Sequence, residues 1–211
     1  MTEEEARGWL SAHFDVSRET WARLEAYVAA LLAGMEQQNL ISESTRPHIW
    51  ARHIVDSAQL MPLAATAEEG WWIDLGSGAG LPGMIVAILS ERPVLMIESR
   101  RKRIDFLAEV IDSLSLRNAR IFGGRIETAP AQQAGVISAR AYAPLPKLFG
   151  SARHLAGENT LWVLPKGRNA QIELEAARAS WQGVFHVERS VTDEESAIIV
   201  GRSIRPARRK G

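Results

Sequence analysis

The chain contains no cysteine. That excludes disulfides, thiolate-zinc sites and any thiol nucleophile, and with them methylation at cytosine C5, which begins by adding a cysteine to the ring. No apolar stretch reaches the ~18 residues that a membrane span requires. The opening Met1-Thr2-Glu3-Glu4-Glu5 is unlike a signal peptide, so a cytoplasmic location is expected. Internal repeats and low-complexity segments are absent too. Net charge is zero, but it is unevenly spread: residues 1–70 hold 11 acids against 5 Lys and Arg, and residues 71–211 hold 14 against 20. The runs Arg100-Arg101-Lys102-Arg103 and Arg202, Arg205, Arg208, Arg209, Lys210 are either attractors for a polyanion such as RNA or solvated faces. At 211 residues, 46% of them hydrophobic and 24% charged, the chain suits one soluble domain with a substantial core.

Ile73-Asp74-Leu75-Gly76-Ser77-Gly78-Ala79-Gly80-Leu81-Pro82-Gly83 is the most informative stretch. The apolar run Trp71-Trp72-Ile73 leads into an acid and then alternate glycines, which admit a ligand close to the main chain. Pro82 fits a helix first turn, and the apolar Met84–Leu89 follows. Strand, glycine turn and helix form a nucleotide-type pocket in parallel α/β folds. Gly78-x-Gly80-x-x-Gly83, with Glu98 about 20 residues on, matches the dinucleotide fingerprint. Asp74-x-Gly76-x-Gly78-x-Gly80 matches the pattern favoured by S-adenosylmethionine methyltransferases. A carboxylate at Asp74 suits the cationic side of S-adenosylmethionine and would repel a pyrophosphate. A purely structural turn is the third possibility.

Apolar residues at Trp21, Leu24, Val28, Leu31, Leu32 and Met35 recur at helical spacing, with Gly34 weakening the end. A second helix is expected over Arg46 to Leu63, with Ile49, Ile54, Ala58 and Met61 inward. Residues 1–65 therefore read as a helical cap on a main domain of residues 66–203, followed by a basic tail at 204–211. Strands are expected at Trp71–Leu75, Val94–Glu98, Ala119–Phe122, Val136–Arg140, Thr160–Leu164, Val184–Arg189 and Ala197–Arg202. Helices are expected at Pro82–Leu89, Arg101–Leu116, Leu145–Ala156 and Ala170–Trp181. This alternation implies α/β architecture, with a seven-stranded, mostly parallel sheet and helices on both faces. The last two strands, joined by Ser190–Ser196, should form an antiparallel hairpin. A parallel sheet finished by such a hairpin resembles the Rossmann-like S-adenosylmethionine methyltransferase fold. A dehydrogenase would need a substrate domain for which no residues remain.

Strand ends carry the candidate chemistry, because open α/β sheets bind ligands there. Glu98 is placed to accept ribose hydroxyls, and Gly123-Gly124-Arg125-Ile126-Glu127 to border an adenine. Arg140 follows the fourth strand and suits phosphate or guanine contact, or an ion pair with Asp74 or Glu98. Lys166 and Arg168 follow the fifth strand. The Asn-Pro-Pro-Tyr motif of exocyclic-amine methylation is missing. His53 has no metal-ligand neighbours at useful spacing; a structural hydrogen bond to the main domain is expected of it.

Together these motifs resemble the RsmG (GidB) family of 16S rRNA guanine-N7 methyltransferases. Asn39-Leu40-Ile41-Ser42, Arg52-His53-Ile54-Val55-Asp56-Ser57, Asp74 to Gly83, Arg125-Ile126-Glu127, Val136–Ala141 and Lys166-Gly167-Arg168-Asn169 occur in the family's order. The trailing Pro82-Gly83 is the most specific part. The resemblance spans about residues 20–200. It implies S-adenosylmethionine contacts at Gly76, Leu81, Glu98, Ile126, Glu127 and Arg140, beside those the loop itself suggests at Asp74, Gly78 and Gly80. It places Lys102, Arg125, Arg140 and Lys166 in or near the RNA and catalytic cleft, with catalytic roles expected of Arg125 and Arg140, and the strand-end cation Arg168 is expected to join the RNA contacts. It also implies the substrate, the guanine at position 527 of 16S rRNA, free or in a 30S particle. Guanine N7 already carries a free lone pair, so in-line transfer positioned by the protein is expected, with no covalent intermediate and no metal, and a monomer is the default expectation. In one departure, Asp193-Glu194-Glu195-Ser196-Ala197 stands where the family has Gly-Glu-Arg-His, which removes a basic pair. Alternatives that share parts of the pattern are a small-molecule methyltransferase, a nicotinamide oxidoreductase and a non-catalytic RNA-binding module.

Overall fold

The β-branched and large apolar segments expected as strands line up in one sheet in the computed structural model, which describes residues 1–140 and 142–207. The strands are β1 (Trp71–Leu75), β2 (Val94–Glu98), β3 (Ala119–Gly123), β4 (Ala134–Ser138), β5 (Ala156–Lys166), β6 (Trp181–Arg189) and β7 (Ala197–Pro206). Their order is β3-β2-β1-β4-β5-β7-β6. Strands β1 to β5 pair in parallel, and β7 is antiparallel to both β5 and β6. The order reverses between β1 and β4, so the crevice beyond their carboxyl ends is the natural ligand position.

Both faces of the sheet are covered, as parallel strands require. Alternate residues point to opposite sides. Trp72, Met96, Val136 and Leu161 join Leu10, Leu24, Leu31, Ile54, Met84 and Val110 in one core. Ile73, Ile97, Ile137 and Trp162 join Leu148, Phe149 and Leu174 in the other. The first core draws on the N-terminal helices and on the sheet alike, so residues 1–65 are packed into the main body.

Helices α1 (Glu3–His13) and α2 (Arg18–Gly34) start at capping residues Thr2 and Ser17. The expected single helix over Arg46 to Leu63 is instead broken. It comprises a 3-10 turn at Glu43–His48 that contains Pro47, a π-helical turn at Trp50–Val55, and the short helices α3 (Asp56–Ala58) and α4 (Leu60–Leu63). Proline removes a donor at the start. The Glu3 carboxylate of α1 then accepts the N–H groups of Trp50 and Ala51 at 3.0 and 3.1 Å.

The remaining helices are α5 (Gly83–Leu89), α6 (Arg101–Ser113), α7 (Leu145–Ala152) and α8 (Ala170–Arg178). Helix α6 stops short of Leu116 because Ser115 takes a left-handed φ of 53° and Leu116 N–H closes back on Ile111 O. Strand β4 begins and ends two residues earlier than expected. Its last pairing with β1 is Asp74↔Ser138, so Arg140 lies in the loop beyond. Trp181 opens β6 rather than ending α8, and packs on Phe149 with ring centroids 5.5 Å apart. Strand β7 runs to Pro206, so residues 204–206 belong to the sheet. Arg208, Arg209 and Lys210 lie outside the described residues. Among the described residues no helix is long and apolar enough to cross a membrane.

Candidate functional site

The glycine loop leaves β1 with Gly76, Gly78 and Gly80 at φ of 67°, 59° and 94°, a region that side-chain-bearing residues avoid. A Cβ on Gly76 would stand 2.7 Å from the Tyr142 ring, and one on Gly80 would stand 2.9 Å from Leu107. Two carboxylates hold the loop from below. Gly78 N–H donates to Glu98 Oε2 at 2.9 Å, while Glu98 Oε1 accepts from Ser99 and Arg100 N–H at 2.7 and 2.9 Å. Gly83 N–H donates to Asp74 Oδ2 at 3.2 Å. The other Asp74 oxygen accepts from Ser138 Oγ at 3.0 Å, and Ser138 in turn accepts from Trp72 Nε1 at 2.8 Å. Asp74 is fully buried. Burial pushes its carboxyl up to about 6, against the pull of these donors. From α2, Tyr27 donates its hydroxyl to Ala79 O at 2.9 Å. Burial raises that phenol far above its ordinary range, so it stays a donor.

Two adjoining cavities of about 310 and 410 Å³ share Gly76, Arg100 and Arg103. The first is lined by Glu98, Arg125, Ile126 and Glu127, the second by Gly78, Leu81 and Arg140. The structure therefore brings most of the expected cofactor residues to one cleft. Gly80 and Asp74 are not on its lining. Gly80 faces Leu107, and Asp74 fixes the loop from inside instead of meeting a ligand's positive group.

Opposite the loop stands a side-chain relay. Arg140 Nη2 lies 2.7 Å from His53 Nδ1, and His53 Nε2 lies 2.8 Å from Thr45 Oγ1, which donates to Ser42 O at 2.7 Å. A guanidinium only donates, so His53 Nδ1 accepts and Nε2–H donates. Both ring nitrogens are occupied and the imidazole is neutral. Burial, then the charges of Arg140 and Arg52, hold its pKa down to about 3. The expected structural hydrogen bond from His53 to the main domain is thus to Arg140. Arg140 also faces Asp56, with Nη1 3.5 Å from Oδ2, rather than pairing with Asp74 or Glu98. A third cavity, of about 260 Å³, adjoins this relay and is lined by Thr45, Arg52, His53, Asp56, Arg140, Lys166 and residues near the β6–β7 turn.

The other expected cations are dispersed. Lys166 is mostly buried, pairs with Glu173 at 2.9 Å and donates to Ala143 O. Arg168 is exposed and pairs with Glu195 at 3.0 Å. Arg125 is exposed at the rim, 3.8 Å from Glu127. Lys102 lies outside the cleft, on a groove between α2 and α6. Its neighbour Arg103 faces the cleft instead, 3.9 Å from Glu98 and bonded to Asn39 O. The helical phase of Phe106, Leu107 and Val110 carries that signal, because Arg103 is one turn before Leu107. Tyr27, Tyr142 and Asp56 carry no such local signal. The departing segment is fastened down: Asp193 accepts from Arg52 at 2.7 Å, which holds its carboxyl below the usual range. Among the described residues no three His, Cys, Asp or Glu side chains gather as a cation site.

A family described as GidB, rRNA small subunit methyltransferase G, matches residues 20–198. A protein of Sphingopyxis alaskensis named ribosomal RNA small subunit methyltransferase G is 52% identical over 199 residues, covering 94% of this chain and 85% of that protein. One of the same name from Zymomonas mobilis is 49% identical over 217 residues, covering 100% and 98%. Among solved structures, a SAM-dependent methyltransferase from Aquifex aeolicus superposes with a TM-score of 0.57 at 12% identity, covering 74% of this chain and 92% of that one. A mutant of MtNAS in complex with S-adenosylmethionine gives 0.57 at 14% identity, covering 96% and 84%. At such identities the structural likeness establishes the fold: a Rossmann-like methyltransferase sheet.

Proposed function

Because the chain belongs to the GidB family, rRNA small subunit methyltransferase G, we propose that it transfers the methyl group of S-adenosylmethionine to N7 of a guanine in 16S rRNA, at position 527. The observation that carries this reading is the juxtaposition at the β1/β4 reversal of a Cβ-free loop with the Arg140–His53–Asp56 cluster. The fit to the cofactor rests on features of the cleft. Gly76 and Gly78 leave main chain bare where side chains would meet Tyr142 and Arg103. Glu98 uses three of its roughly four lone-pair sites on main-chain donors, which leaves one for a hydroxyl. Ile126 offers an apolar surface beside Glu127. Lys102 is not part of this reading; Arg103 takes its place.

When bound, S-adenosylmethionine supplies a methyl group activated by its sulfonium. Guanine N7 brings its own lone pair and has no proton to lose, so the residues position rather than deprotonate. His53 fits that role: neutral and bonded at both nitrogens, it holds Arg140 instead of acting as a base. Arg140, neutralised in part by Asp56, holds the base or its phosphate. Arg125 and Arg168 are rim cations for the RNA backbone, and Lys166 braces the Ala143 loop. The base must be unstacked to enter. On this reading the transfer needs no covalent nucleophile.

The test is transfer of a tritiated methyl group to 16S rRNA and to 30S particles from a strain lacking the modification, with mapping of the labelled nucleotide. Label at N7 of guanine 527, lost in Gly78→Asp, is the expected result. Binding of S-adenosylmethionine with no label on either RNA form would remove the rRNA reading.

A further inference from the structure

The two oxygens of Asp56 differ in a way that structural duty leaves unexplained. Oδ1 accepts from Thr192 Oγ1 at 2.8 Å and from Gln59 Nε2 at 3.0 Å, which ties α3 to the β6–β7 turn. Among the described residues, Oδ2 has no hydrogen bond. It has only the 3.5 Å approach of Arg140 Nη1, and that nitrogen is itself buried without a hydrogen-bond partner. A buried donor left unpaired is costly. Asp56 and Arg140 both line the 260 Å³ cavity, so a buried donor nitrogen without a hydrogen bond stands beside a partly exposed acceptor oxygen that has none. Their chemistry matches one base edge. Guanine presents N1–H and N2–H donors next to its O6 acceptor; adenine has an acceptor at N1 and a donor at N6, and so offers the opposite order.

We propose that Asp56 Oδ2 and Arg140 Nη1 select guanine, the carboxylate accepting from N1–H and N2–H and the guanidinium donating to O6. This rests on the proposed function and names the specificity residue of the same site. It also orients the base. N7 lies beside O6 on the side away from N1. A guanine so held turns N7 toward Arg140, and Arg140, His53 and Thr45 line both this cavity and the one at Gly76 and Gly78. Reading the edge and aiming the acceptor atom are then one act. Sites that hydrogen-bond a substrate group reject analogues lacking it far more strongly than apolar pockets do.

The probes are 16S rRNA and 30S particles carrying either guanosine or inosine at position 527. Inosine keeps O6, N1–H and N7 but lacks the N2 amine. The protein is compared with Asp56→Asn, which keeps Oδ1 for Thr192 and Gln59 and replaces only the free oxygen with a donor. The expected result is a guanosine preference of about tenfold or more in the unaltered protein, falling to about threefold or less, or reversing, in Asp56→Asn. This ratio does not depend on the folded fraction of the variant. Equal transfer to both RNAs by the unaltered protein, or an equal loss on both in Asp56→Asn, would overturn the role of Asp56 and leave the proposed function standing. No transfer to either RNA by the unaltered protein would overturn both.

Discussion

On the wall of the cleft formed by β1 and β2, the groups that shape the surface are main chain: the left-handed glycines and the N–H groups of Gly78, Ser99 and Arg100 closed onto Glu98. On the facing wall they are side chains brought from afar. Arg140 meets His53 across 87 residues and Arg52 meets Asp193 across 141. The first wall is rigid because short-range geometry over-determines it. The second exists only while the helical cap and the sheet stay packed together. A surface common to a whole fold class can be made of backbone, whereas one that selects a particular substrate depends on the identities of side chains.

The sharpest way to break the second wall is Arg140→Ala. It removes the donor to His53 and the counter-ion of Asp56, and methyl transfer should fall by about 10²–10³, as for loss of one positioned donor in an active site. Cofactor affinity, measured by calorimetry, should change far less, because the glycine loop is untouched; an equal loss of both would merge the two walls. The same variant should raise the His53 pKa from about 3, since the Arg140 charge helps depress it; NMR titration of the ring reads this. The sign for stability follows. His53 is depressed on folding, so its contribution is complete above its unfolded value near ~6.5 and is lost as pH falls through about 3. Arg140→Ala should flatten that acid limb.

Asp74→Asn tests whether the first wall depends on a charge or on a hydrogen-bond pattern. Ser138 O–H and Gly83 N–H both point at the carboxylate, so an amide must set its NH₂ against one of them. The expected cost is about 1–3 kcal/mol near pH 7, read by denaturant unfolding. The pH dependence runs opposite to that of His53. A carboxyl raised to about 6 contributes most below its unfolded value near ~3.9, and that contribution is lost as pH rises through 6. The stability of the variant should not fall over that window.

These two sites also show what the sequence could disclose. The alternating glycines, Glu98 and the strand rhythm are local, and period and spacing expose them. The mostly parallel seven-stranded sheet and its antiparallel hairpin follow from them. The breaks in the segment from Glu43 to Leu63 were hidden, because a carboxylate on α1 helps set them. The partner of Arg140 was hidden for the same reason: Asp74 and Glu98 are nearer in the expected fold, but both are engaged by backbone N–H groups, and Asp56 arrives on a helix of only three residues. The resemblance puts Lys102 at the cleft, while the apolar phase of α6 points Arg103 there.

Gly76→Ala should weaken cofactor binding by about tenfold. A left-handed φ costs a side-chain-bearing residue about 1–2 kcal/mol, and the added methyl must also displace Tyr142. Calorimetry checks it. RNA affinity should be unaltered, which keeps the two walls separable.

The smallest effect concerns the segment that departs from the family pattern. Glu195 pairs with Arg168 at 3.0 Å, with both side chains more than two-thirds exposed, so the pair adds little stability. Its consequence on the proposed reading is electrostatic: a cation offered to the RNA backbone is neutralised before RNA arrives. Glu195→Ala frees it. Melting should shift negligibly, whereas affinity for 16S rRNA should rise by about two- to threefold near physiological salt. The slope of log affinity against log salt should steepen by about one unit if Arg168 then reaches a phosphate. Arg168→Ala in the same background should return both values to their starting point. An unchanged slope in Glu195→Ala would place Arg168 outside the RNA footprint and confine the substrate wall to the Arg140 side of the cleft.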